Sequence, residues 1–151
     1  MIFDFSRIKN SKNLLAFSGG VDSSALFFLL LNHKIDFDIA IVNYNTREQS
    51  KDEIEYALNL AKEYKKEIFI KDVKLENSSN FEKNARDIRY IFFEQIIKEN
   101  SYETLITAHQ LNDRLEWFLM QLSKGAGLVE LFGIKEFEEK KDYKIFRPLL
   151  N

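Results

Sequence analysis

Short apolar runs alternate with amphipathic stretches along most of the chain. Asn13 to Phe17 (NLLAF) is a compact apolar run that ends at Ser-Gly-Gly, the signature of a buried strand. Ser23 to Leu31 follows with enough apolar side chains for a buried helix. Asp38 to Asn43 (DIAIVN) and Glu67 to Val73 (EIFIKDV) read as the next two strands. Between them, Ser50 to Lys66 sets Ile54, Ala57, Leu58 and Ala61 at helical spacing, with Ser50 and Glu53 in capping-box register. Phe81 to Asn100 reads as a long helix, with Ser79 and Glu82 again in that register. Glu103 to Ala108 (ETLITA) reads as a fourth strand. Leu111 to Ser123 reads as a fourth helix, striped by Leu111, Leu115, Phe118, Leu119 and Leu122.

Strands joined by helices of this length predict an α/β fold: a doubly wound, mainly parallel sheet with helices on both faces. Such sheets bind ligands beyond the carboxyl ends of their strands. Three segments directly follow strands and become the candidate site: Ser18 to Ser24, Asn43 to Arg47 and Ala108 to Asp113. The 151 residues fit one domain with one sizeable core. The formal net charge of -2 supplies no global basic field for nucleic acid, so any RNA contact must come from local patches. The chain has no cysteine, which excludes disulfides, thiolate-bound zinc and a catalytic thiol. The longest apolar run, Ala25 to Leu31, is too short to span a bilayer, so no membrane association and a cytoplasmic location are expected.

The loop Ser18-Gly-Gly-Val-Asp-Ser23 carries the most chemistry. Gly19 and Gly20 permit positive φ and a close backbone approach. Successive N–H groups leading into a helix N-terminus form an anion-binding nest, and Ser18, Ser23 and Ser24 add hydroxyl donors. A P-loop would place Lys before Ser/Thr to reach terminal phosphates; Val21-Asp22 stands there instead. Asp22 repels bare phosphate, so Mg²⁺ between carboxylate and phosphates is expected. The alternative is a plain tight turn with Asp22 or Ser23 capping the helix. Ser-Gly-Gly-x-Asp-Ser after a first strand resembles the PP-loop ATP pyrophosphatase family. Its members split ATP between the α and β phosphates, adenylylate an oxygen and release pyrophosphate. The resemblance implies an adenine nucleotide alpha hydrolase-like fold, ATP as substrate, and a nucleotide-binding loop of Ser18, Gly19, Gly20, Val21, Asp22 and Ser23.

Lack of cysteine sets aside the thiolating members and leaves those with an amine nucleophile, which two stretches help to separate. On a helical wheel of Phe81 to Tyr90 and its continuation, Phe81, Ile88, Ile91, Phe92 and Gln95 share one side, with Glu82, Arg86, Arg89 and Phe93 opposite. Taken alone this is a solvated face with a Glu82–Arg86 pair worth a few tenths of a kcal/mol. The order Glu-x-x-Ala-Arg-x-x-Arg-Tyr resembles the tRNA(Ile)-lysidine synthetase family, in which the arginines face ATP or tRNA, both suited to a planar guanidinium. In Thr107 to Ile134, His109, Asp113 and Glu116 gather off the apolar stripe near a helix start. Acids there complement the helix dipole; beside a phosphate loop they could also bind Mg²⁺ or orient an attacking amine. His109, Asp113, Glu116, Gly125 and Gly127 match that family's pattern, as do Asn43, Arg47 and Arg147-Pro148-Leu149-Leu150. Gln110, Asn112, Arg114 and Trp117 depart from it, and Ile41 and Tyr44 stand where the family carries histidines.

The resemblance implies an ATP-dependent ligase that joins L-lysine to C2 of the wobble cytidine of tRNA(Ile) with anticodon CAU. It casts Asp22, Asp113 and Glu116 as catalytic carboxylates, with Asp22 and Glu116 as the Mg²⁺ pair. Asn43, Arg47, Arg86, Arg89, His109, Gly125 and Gly127 fall to substrate or tRNA. Residues 1–151 are expected to form the PP-loop catalytic domain, truncated before a carboxyl-terminal tRNA-binding part. A homodimer is left open. Another amine-using ligase of the NAD synthetase type, and a non-catalytic ATP-binding module, remain alternatives.

Overall fold

The computed structural model describes residues 3–45, 49–74, 81–108 and 135–150. Strand β1 (Asn13–Ala16) leads to helix α1 (Val21–Asn32), then β2 (Phe37–Asn43), α2 (Gln49–Glu63), β3 (Ile68–Asp72), α3 (Phe81–Asn100) and β4 (Thr104–Ile106). Two short strands, β5 (Phe137–Glu139) and β6 (Lys144–Phe146), follow. The six strands form one sheet in the order β3-β2-β1-β4-β6-β5. All neighbours are parallel except β5, which runs antiparallel to β6 at the edge.

This order follows from chain handedness. From β1 the chain steps outward through β2 to β3, and then crosses back over β1 to β4. Right-handed crossovers put the first two helices on one face of the sheet and the returning helix on the other. The cores bear this out. Leu15, Phe17, Ile39 and Ile41 pack on α1 and α2 through Leu26, Phe27, Leu30, Ala57 and Leu60. Their strand neighbours Leu14, Ala40 and Leu105 point the opposite way, onto Phe93, Ile96 and Ile97 of α3. Central strands buried on both faces need continuous apolar runs, as NLLA and DIAIV supply.

The alternating elements match the sequence reading to within a few residues at their ends. Helix α1 begins at Val21, directly after the glycines, rather than at Ser23. The β5–β6 hairpin was not expected; its strands are three residues long and flanked by charges, too short for alternation to register. The face of α3 is corrected. Ala85, Phe93, Ile96 and Ile97 are its buried side, whereas Ile91 is 66% exposed and Gln95 is exposed. The side carrying Arg89 and Phe93 therefore meets the sheet. The fourth helix expected over Leu111 to Ser123 lies outside the described residues, as does Ser79.

Candidate active site

The strand order reverses between β1 and β4, one leading outward to β2 and the other to β6. A cavity of about 430 Å³ opens at their carboxyl ends. Ala16 and Phe17 from the end of β1, Val42 and Tyr44 from that of β2, and Thr107 and Ala108 after β4 line it. Ser18, Gly20 and Ser23 close one side, and α3 contributes Arg89, Tyr90 and Phe93. Glu53 of α2 completes the wall. Topological switch points are where open α/β sheets leave room for a ligand.

The loop is built around Ser23. This side chain is buried, and its Oγ accepts the Ser18 N–H at 3.2 Å and lies 3.0 Å from the Ser18 Oγ. It also lies 3.4 Å from the Gly20 carbonyl, to which it can donate. The Ser18 Oγ in turn accepts the Gly20 N–H at 3.3 Å. Ser23 thus folds the loop back on the first turn of α1 and does not cap the helix. The cap residue is Gly20, with no side-chain cap bond. The first helical hydrogen bond runs from the Ser24 N–H to the Gly20 carbonyl at 3.0 Å. The N–H groups of Val21, Asp22 and Ser23 precede it, so none has an intrahelical acceptor, and the dipole adds positive potential there. Such an end is suited to an anion.

Only one of the two glycines needs its freedom. Gly19 has φ +81°, and a Cβ on it would come within 2.9 Å of the Glu53 Cβ. Gly20 is extended, at φ -78° and ψ 177°. The first glycine therefore lets α2 approach the loop as well as shaping the loop itself. The capping-box bond expected between Ser50 and Glu53 is absent among the described hydrogen bonds; α2 starts at Gln49 and Glu53 lines the cavity.

The remaining candidates divide. Arg89 lines the cavity and is its one cationic residue among the described lining, as Glu53 is its one anionic residue. Arg86 is exposed, its guanidinium 5.9 Å from the centroid of the Tyr90 ring. Asp22 and Val21 are exposed at the start of α1, Val21 at 86%, and neither lines the cavity. Asn43 is buried at the end of β2. Its amide donates to Asp72 Oδ1 at 3.0 Å and to Asn45 Oδ1 at 3.2 Å, and its Oδ1 accepts the Asn45 N–H at 3.1 Å. That side chain shapes the turn in which Asn45 takes φ +55°. Arg47, His109, Asp113, Glu116, Gly125 and Gly127 lie outside the described residues. Among the described residues no cluster of three or more His, Asp or Glu could hold a metal, and no helix is long and apolar enough to cross a membrane.

Arg147 of the Arg-Pro-Leu-Leu segment is buried and belongs to the edge hairpin. It donates to the Lys135 carbonyl at 2.8 Å and to Glu138 at 3.0 Å, while its own N–H bonds the Glu136 carbonyl at 2.8 Å. Burial would raise the Glu138 carboxyl, but hydrogen bonds from Lys140 and Arg147 outweigh it and hold the group below the usual carboxylate range.

A family model described as the PP-loop domain matches residues 3–151. The chain belongs to the PP-loop family. Among curated PP-loop relatives, it is 56% identical over 143 residues to a tRNA(Ile)-lysidine synthase of Campylobacter jejuni, covering 95% of this chain and 44% of the relative. It is 55% identical over 143 residues to one of Helicobacter pylori, covering 95% and 42%. One from Thermosipho africanus is 38% identical over 151 residues, covering 94% and 34%. The chain thus spans less than half the length of these relatives. Among solved structures, the U34-tRNA thiolase NcsA from Methanococcus maripaludis superposes with a TM-score of 0.71 at 24% identity, covering 93% of this chain and 52% of that one. That likeness speaks to the PP-loop fold alone.

Proposed function

We propose that this PP-loop chain carries the ATP-dependent step that ligates L-lysine to C2 of the wobble cytidine of tRNA(Ile) with anticodon CAU. The observation that carries the proposal is the similarity to tRNA(Ile)-lysidine synthases, at 50–56% identity over nearly the whole chain. The cavity supports it, since Ser18, Gly20 and Ser23 of the lysine-free loop line it together with Arg89.

In this reading ATP adenylylates the cytidine O2, and the bond between its α and β phosphates breaks to release pyrophosphate. The lysine amine then attacks C2 and AMP departs with the oxygen. The logic is one of leaving groups: an amide-like oxygen departs poorly, whereas AMP departs well. Ser18, Gly19, Gly20, Val21 and Ser23 surround the departing β and γ phosphates, using the N-terminal N–H groups of α1. Arg89 offers a bidentate cation to the same phosphates. Arg86, exposed beside Tyr90, would serve RNA, and Arg47, His109, Gly125 and Gly127 are assigned to substrate or tRNA. Asn43 acts through the turn it holds rather than by direct contact.

Asp22, an exposed carboxylate on the first turn of α1, is a donor of the kind Mg²⁺ takes together with phosphate oxygens. Asp22 and Glu116 would hold it, with Asp113 as the further catalytic carboxylate. Bound there, it would neutralise charge on the departing phosphates.

The test is incorporation of radiolabelled lysine into a tRNA(Ile) transcript by the full-length protein with ATP. Incorporation is expected, with a loss of about a hundredfold or more in Asp22→Ala and Glu116→Ala. Incorporation unaffected by both substitutions would refute the assignment of the carboxylates.

A further inference from the structure

Tyr44 is the first residue beyond β2, and the family pattern places a histidine there. Its hydroxyl donates to the Ala85 carbonyl, in the first turns of α3, at 3.1 Å. In an α-helix the carbonyl of residue 85 is also the acceptor for the N–H of residue 89. The phenol therefore grips the helical turn from which Arg89 projects, and Tyr44 and Arg89 line the same cavity. The root of the tyrosine is fixed as well. Asn43 before it is tied to Asp72 on β3, and the turn after it is closed by the Asn43–Asn45 bonds. An unbroken path of hydrogen bonds and covalent links thus runs from the sheet through Tyr44 to the turn that carries Arg89.

We infer that Tyr44 is a positioning residue for Arg89, holding the guanidinium at the depth where it meets the phosphates of a bound nucleotide. The main core packing of α3 lies further along the helix, at Phe93, Ile96 and Ile97, so the Tyr44 bond adds a tie nearer its start, and a planar bidentate donor tolerates little displacement. The hydroxyl is what matters, because the ring alone would still wall the cavity. This inference rests on the proposal that the cavity takes ATP.

A double-mutant cycle on the full-length protein tests it, with the dissociation constant for Mg-ATP measured by isothermal titration. Tyr44→Phe keeps the ring and removes the hydroxyl. It should weaken ATP binding about fivefold when Arg89 is present and less than twofold in an Arg89→Ala background. The unfolding midpoint of each variant, taken alongside, should not follow this pattern. Equal penalties in both backgrounds, or no penalty for Tyr44→Phe alone, would overturn the positioning role while leaving the ATP reading intact. An unsubstituted protein that binds no ATP would overturn both.

Discussion

Gly19 and Glu53 are in near contact, and Glu53 also lines the cavity: a Cβ on the glycine would stand 2.9 Å from the Cβ of the acid. The phosphate loop and the first turns of α2 are therefore packed against each other with no room for a side chain at that point. The φ of +81° at the same residue makes glycine necessary for a second reason.

Gly19→Ala should therefore destabilise the fold by about 2 kcal/mol or more, from the left-handed backbone and the clash together. Gly20→Ala meets only the Ser18 Oγ at 3.4 Å in an extended backbone and should cost less than about 1 kcal/mol. Urea unfolding of the two variants side by side measures the difference. Equal costs would contradict both the backbone strain at Gly19 and its contact with Glu53.

Ser23→Ala removes the acceptor for the Ser18 N–H and a partner of the Ser18 hydroxyl from a buried position. A loss of about 1–2 kcal/mol is expected, together with a raised KM for ATP as the loop loosens. Ser23→Thr should keep part of the network. A Ser23→Ala protein with unchanged stability and unchanged KM would mean that the loop holds its shape without this hydroxyl.

The edge hairpin should respond to acid. The Glu138 carboxyl is held below its ordinary value, so its bonds to Arg147 and Lys140 stabilise the fold above the unfolded-state value of about 4.3 and are lost as pH falls through the lower folded-state value. Glu138→Gln should therefore reduce stability at pH 7 by a modest amount, since the group is partly exposed, and should flatten the decline below about pH 4. Thermal unfolding from pH 7 to pH 3 for both proteins checks it; parallel curves would contradict the ion pairs' contribution.

Much of this architecture was legible from apolar runs alone, because central strands such as NLLA and DIAIV are buried on both faces and leave no polar alternation to confuse them. The orientation of α3 was not. Phe81, Ile88, Ile91 and Phe92 look like a core stripe, but the sheet selects the line through Ala85, Phe93, Ile96 and Ile97. A small residue such as Ala85 carries little weight on a wheel, yet it marks where a helix comes close to a sheet. That line places Arg89 over the cavity, which the wheel had put on a solvated face. Ser18, Gly20 and Ser23 were visible as a loop from the sequence. Glu53 was not, because the same acid fits a capping box, and only the approach of α2 to Gly19 brings it to the cavity wall. Tyr44 read as a departure from a pattern; its reach to Ala85 depends on a helix forty residues away.

The most direct test of the proposed chemistry follows the fate of ATP labelled at the α phosphate, in the full-length protein with lysine and the tRNA(Ile) transcript. The predicted product is AMP, formed in step with lysine-modified tRNA and only when both lysine and tRNA are present. Labelled ADP in its place, or AMP that forms with deamido-NAD and ammonia but not with tRNA and lysine, would contradict it.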